Sequence, residues 1–85
     1  MSLPTITLLG RPGCHLCDEA RAVLQRLRSE RPFVLEEVDI EADDELLRAH
    51  LERIPVVVLD GHELYHFHVD EGDLRERLAG RVSVE

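Results

Sequence analysis

Thr5-Ile6-Thr7-Leu8-Leu9-Gly10-Arg11-Pro12-Gly13-Cys14-His15-Leu16-Cys17-Asp18-Glu19-Ala20 is the stretch that decides how this chain folds. Its first half is apolar and β-prone, and it breaks at Gly10-Arg11-Pro12-Gly13, a cluster of turn formers. From His15 the period changes. Leu16, Ala20, Val23, Leu24 and Leu27 recur at helical spacing, while Asp18, Glu19, Arg21, Gln25 and Arg28 occupy the other face. The reading is a buried strand, a loop and an amphipathic helix, with two cysteines at the point where loop becomes helix.

Outward from there, the helix must stop by Pro32, whose ring disfavours helical angles in the residue before it. Residues 33–40 are β-rich but only half apolar, as suits an edge strand. Asp43 and Asp44 can cap a second helix carrying Leu46, Leu47 and Leu51, which should stop near Arg53 because Pro55 follows. Val56-Val57-Val58-Leu59 is continuously apolar, the pattern of a central strand covered on both faces. Asp60-Gly61 then supplies a two-residue hairpin turn, with a return strand over 63–68 in which Tyr65 and Phe67 face the core and His66 and His68 face away. A last helix begins near Asp70 or Glu71, carries Leu74 and Leu78 inward, and ends at Gly80. The expected order is β-α-β-α-β-β-α, an α/β fold with a mixed four-stranded sheet flanked by three helices, in one domain spanning 1–85.

Eighteen acids against ten bases, all arginine, give a formal net charge of −8. That composition disfavours a nucleic-acid binder, which needs a concentration of basic side chains. The apolar run at 56–59 is far short of the roughly 20 residues that span a bilayer, and no secretory pattern opens the chain. The expectation is a cytoplasmic monomer, without membrane or nucleic-acid partners.

Two cysteines so close together close too short a loop to stabilise much as a staple. Their use is therefore chemical, either redox or metal binding. Helix N-termini present unpaired N–H groups and the positive end of the dipole, both of which favour a thiolate over a thiol. Cys14 at the helix edge is thus the expected nucleophile. Cys17, one turn later, lies beneath it at a distance a disulfide can bridge. Cys14 would attack a substrate disulfide, and Cys17 would release the product and leave the internal disulfide. His15, as imidazolium, would stabilise the thiolate further. The histidines at 62, 66 and 68 invite a zinc reading, but their long separation from Cys17 is unlike a compact zinc finger, and no metal site is assigned.

Gly10-Arg11-Pro12-Gly13-Cys14-His15-Leu16-Cys17 resembles the glutaredoxin active-site loop, where a basic residue and often a proline precede Cys-x-x-Cys. Ile54-Pro55 ahead of three valines resembles the cis-proline that leads into the central strand of the thioredoxin-like (glutaredoxin) fold, and Asp60-Gly61 matches the following hairpin. The resemblance covers nearly the whole chain and is closest to small bacterial glutaredoxin-like proteins carrying Cys-His-Leu-Cys. Thioredoxin matches less well, for its tryptophan before the motif and its proline within the motif are both missing.

The resemblance implies a thiol–disulfide oxidoreductase acting in electron transport, with Cys14 and Cys17 as its redox disulfide. The partners implied are a disulfide-containing protein or glutathione mixed disulfide, and a reductase or thiol donor. It implies a cis Pro55 opposite the cysteines, substrate pairing along Ile54, and Arg11 on a glutathione carboxylate. No tightly bound cofactor is implied, and glutathione is the candidate co-substrate. The chain departs from the family after the last strand, where glutaredoxins carry a Gly-Gly step followed by polar residues that hold the other carboxylate. There His68-Val69-Asp70-Glu71-Gly72 presents acids, with Arg53, in place of the usual threonine, to offset them. The alternative use of the same cysteines is a metal or iron–sulfur carrier.

Overall fold

The computed structural model describes residues 3–83, with the side chains of 81–83 left aside. Four strands and three α-helices run in the order β1 (Thr5–Gly10), α1 (His15–Glu30), β2 (Val34–Asp39), α2 (Asp44–His50), β3 (Val56–Leu59), β4 (His62–His66) and α3 (Glu71–Ser83). A single 3-10 turn, Ile40–Ala42, leads into α2. The sheet order is β2-β1-β3-β4. β1 pairs with β2 in parallel across the α1 crossover, while β1–β3 and β3–β4 are antiparallel.

Strand composition explains the order. β1 and β3, the apolar strands, take the two central places, where both faces are covered. β2 alternates partial burial with exposed Glu36 and Glu37, and it lies at an edge where charged side chains discourage further pairing. Asp60 and Gly61 both have positive φ, 49° and 89°, as a tight two-residue hairpin needs. Asp60 also exchanges hydrogen bonds with Thr5, its N–H donating to the Thr5 carbonyl and its carboxylate accepting the Thr5 N–H, each at 2.8 Å. The turn is thereby fastened to the start of β1.

Alternation along the strands divides the core in two. Ile6 and Leu8 of β1 and Val57 and Leu59 of β3 point to one face, where Ala20, Leu24 and Leu27 of α1 and Leu74 and Leu78 of α3 cover them. Leu9 and Val56 point to the other, where they meet Ile40, Ile54 and Cys17, with Leu46 and Leu47 of α2 packed against the group.

Three expectations are corrected. Leu51 is exposed rather than packed inward, and α2 ends at His50 with Leu51 as its C-cap, short of the expected stop near Arg53. β4 ends at His66, two residues early, and Phe67 is exposed instead of packed in the core. The strand stops because Phe67 takes φ 69°, which turns the chain out of the sheet just past His66, whereas Tyr65, of the same parity, stays packed on the core. Finally, α3 continues through Gly80 to Ser83, so that glycine is not a terminator.

Candidate active site

Cys14 is the N-cap of α1, with extended backbone angles (φ −87°, ψ 110°), and its Sγ accepts the Cys17 backbone N–H at 3.2 Å. The Cys14 carbonyl accepts the first intrahelical bond from Asp18 N–H at 3.1 Å. A sulfur atom therefore does the work that a serine or aspartate oxygen does at most helix starts. That position aims a donor and the positive end of a 16-residue helix at Cys14 Sγ. The preceding loop is shaped for it. Gly13 takes φ 81°, a conformation L side chains rarely adopt, and Cys14 N–H donates to the Arg11 carbonyl at 3.3 Å.

The two cysteines are joined as a disulfide with Cα atoms 5.2 Å apart, within the normal range for that link. Their surroundings differ sharply. Cys17 is 1% exposed and belongs to the second core cluster, whereas Cys14 is only half-buried at its margin. Of the two sulfur-bearing residues, Cys14 is the one more open to attack from outside.

Gly10 is a residue that sequence reasoning passed over. A Cβ there would lie 2.8 Å from Cys17 Sγ and 3.2 Å from Cys17 Cβ. The end of β1 presses on the buried sulfur, and only glycine leaves the room. A glycine at the end of an apolar strand, just ahead of the cysteine loop, was the available signal.

The other expected site residues separate into two groups. Ile54 shares the apolar cluster with Cys17, with Cys14 packed against it. Pro55 is fully buried, and the peptide bond between Ile54 and Pro55 is cis. Arg11 lines a cleft of about 240 Å³ that also reaches Cys17, Asp18, Arg21 and Glu37. Its guanidinium lies 3.5 Å from Glu41. His15 and Arg53 are not gathered with them. His15, its side chain 84% exposed, meets Glu19 at 3.0 Å one turn along α1. Arg53 pairs with Glu63 on β4. Among the described residues, no three His, Cys, Asp or Glu side chains stand close enough to hold a metal ion, and no helix is long and apolar enough to cross a membrane.

Far from the cysteines, arginines tie α1 to α3. Arg26 binds Glu71 and Arg75 binds Glu30. These hydrogen bonds hold the Glu30 and Glu71 carboxyls below the ordinary glutamate range. Tyr65 donates its hydroxyl to Asp73, which also accepts from Arg77, and Asp73 is likewise held low. The Tyr65 hydroxyl is pushed above its usual range, first by burial and then by that carboxylate.

A family model described as "Glutaredoxin-like domain (DUF836)" matches residues 5–79. An uncharacterized protein of Mycobacterium tuberculosis is 38% identical over 84 residues, covering 93% of this chain and 87% of its own length. The solution structure of a protein from Nitrosomonas europaea superposes with a TM-score of 0.80 at 31% identity, covering 92% of this chain and 94% of that one. An X-ray structure from X. campestris gives 0.73 at 34%, covering 88% and 96%. A mutant thioredoxin from Halobacterium salinarum gives 0.72 at 17%, covering 99% and 79%, a likeness of fold alone. The fold is α/β and thioredoxin-like, and the chain belongs to the glutaredoxin-like domain family.

Proposed function

We propose that this protein is a dithiol–disulfide oxidoreductase in which Cys14 attacks and Cys17 resolves. One observation carries the reading: a half-buried sulfur caps a helix and accepts its N–H, directly above a second sulfur that is 1% exposed. The first sulfur is stabilised as a thiolate and can be reached by substrate, and the second is held in reserve.

The chemistry then runs in two displacements. The Cys14 thiolate attacks one sulfur of a substrate disulfide, forming a mixed disulfide and expelling the other sulfur as thiolate. Cys17 loses its proton, attacks Cys14 Sγ and releases the second substrate thiol, leaving the Cys14–Cys17 disulfide. Two electrons have passed from the protein dithiol to the substrate. An external thiol donor, a monothiol such as glutathione or a dithiol protein, restores them by the reverse exchange.

In this reading Arg11 meets a substrate carboxylate, and the backbone at Ile54 and Pro55 pairs with an extended substrate segment. The protein acts as a monomer in the reducing conditions of a cytoplasm, on protein or glutathione mixed disulfides. Nothing in the arrangement of the described side chains favours the rival metal or iron–sulfur role.

Trapping tests the assignment. The Cys17→Ser protein, reduced and added to a lysate, is expected to accumulate mixed disulfides through Cys14, released by dithiothreitol. Capture of equal strength by Cys14→Ser would reverse the two roles.

A further inference from the structure

Phe67 is costly to the fold in two ways. Its φ of 69° lies in the left-handed region, and the His68 N–H donates to the His66 carbonyl at 2.8 Å, closing a tight three-residue turn around it. That turn with positive φ is rare and strained for a residue with a Cβ. The residue is also 42% exposed. Strain and exposure in one aromatic residue call for a use outside the fold.

The place of Phe67 indicates which use. Its N–H donates to the Pro55 carbonyl at 2.9 Å, tying it to the segment whose Ile54 packs with Cys17. Its ring sits edge-on to His66, centroids 4.9 Å apart. Together with Leu16, one of the two residues between the cysteines, and with Ala20, Val23 and Val69, it lines a recess of about 100 Å³. That is room for one small aliphatic side chain. Glu19 and His68 complete its wall, and Glu19 meets the exposed His15. Asp70, next in the chain to Val69, adds a second carboxylate beside the recess and accepts the Asp73 N–H. The formal charge of the chain, −8, adds a field of the same sign.

We propose that this recess receives an apolar side chain adjoining the disulfide cysteine of a polypeptide substrate, and that Phe67 and the acidic rim select neutral or basic polypeptides over anionic glutathione. The inference rests on the oxidoreductase reading above and assigns its substrate class. The reacting bonds are unchanged: Cys14–S bonds to the polypeptide sulfur as the sulfur–sulfur bond of the substrate breaks. Phe67 and Leu16 position the segment that carries that sulfur.

The test uses the reduced Cys17→Ser chain and three mixed disulfides of an aryl thiol that absorbs when released. One carries a peptide with leucine and arginine flanking its cysteine, one a peptide with glycine and glutamate there, and one glutathione. Attack by Cys14 expels the aryl thiolate, so its absorbance reports the first step alone. The leucine–arginine adduct is expected to react about tenfold faster than the glutathione adduct, the advantage that burying one aliphatic side chain provides. Added salt should reduce the part due to charge.

Phe67→Gly should abolish most of the preference while leaving the melting temperature unchanged or higher, because glycine accepts the positive φ. Phe67→Leu should retain most of it. Equal rates for the three adducts, or a preference untouched in Phe67→Gly, would overturn the proposal. So would a dimer of the native chain that dissociates in Phe67→Gly, since the recess would then be occupied by a second copy. Failure of every adduct to release aryl thiolate would instead refute the oxidoreductase reading itself.

Discussion

The two faces of the sheet are built to different standards. On one, α1 and α3 place five fully buried side chains over Ile6, Leu8, Val57 and Leu59, and arginine–glutamate pairs fasten the helices to each other. On the other, α2 contributes no fully buried residue, and the core is a smaller group that includes Cys17. The difference separates stability from chemistry. One face holds the sheet together, while the other leaves a sulfur pair at the edge of a light cluster where a partner can reach it.

Leu24→Ala should break this asymmetry most severely. Leu24 is wholly buried in the larger cluster, so the substitution is expected to cost about 3 kcal/mol, read as a lower urea midpoint. Below that midpoint the reactivity of Cys14 should be unchanged. A large loss of Cys14 reactivity in the folded protein would mean that the two faces are not separable.

Gly10→Ala should act at the other end. The added methyl meets Cys17 Sγ and Cβ, so a loss of about 2 kcal/mol, typical of overpacking, is expected. Its distinctive effect is kinetic. Attack by Cys14 should keep its rate while resolution by Cys17 slows, so that mixed disulfide accumulates in rapid-quench samples. The same substitution in the Cys17→Ser background should leave the first step untouched.

Acid should loosen the stable face selectively. Glu30, Glu71 and Asp73 have carboxyls held below their ordinary values, chiefly by hydrogen bonds from Arg75, Arg26 and Tyr65 respectively. The unfolded chain therefore binds protons first. Their stabilisation is complete above the ordinary carboxylate values of 4.5 and 3.8 and is lost as pH falls through the lower folded values. Tyr65 works in the opposite direction. Its raised value makes the folded state hold its proton longer, so that stability declines as pH rises past 10.0. Urea midpoints across pH should form a plateau falling at both ends. Arg75→Ala should flatten the acid limb, and Tyr65→Phe the alkaline one.

Leu51→Ala marks the small end of the scale. Leu51 is exposed past the end of α2, and the expected change is within about 0.5 kcal/mol.

Much of this was legible in the sequence, for reasons that differ by element. Continuous valines at 56–58 and the Asp60-Gly61 pair fix a central strand and its turn through local chemistry alone. The helical spacing from Leu16 to Leu27 fixes α1, and with it the position of Cys14 as cap. Phe67 was not legible: alternation placed it inside with Tyr65, but β4 ends at His66 and the positive-φ turn that follows leaves no periodic trace. Leu51 was misplaced for another reason: it holds helical angles as the C-cap of α2, but whether a neighbour covers it depends on packing that spacing along the chain does not report. The Gly10–Cys17 approach is a contact across the fold, and spacing along the chain does not report it. Arg53 was expected near the cysteines, yet it pairs with Glu63, a partner that only the β3–β4 register brings within reach.

The division of labour between Cys14 and Cys17 is tested most directly by alkylating the fully reduced protein with iodoacetamide from pH 5 to 9 and mapping the product by peptide mass. The helix cap and the burial of Cys17 predict modification of Cys14 alone at neutral pH and below, with an inflection lower than that of an unperturbed thiol, about 8.5. Modification of Cys17 first, or of both sulfurs together only above that value, would contradict the account.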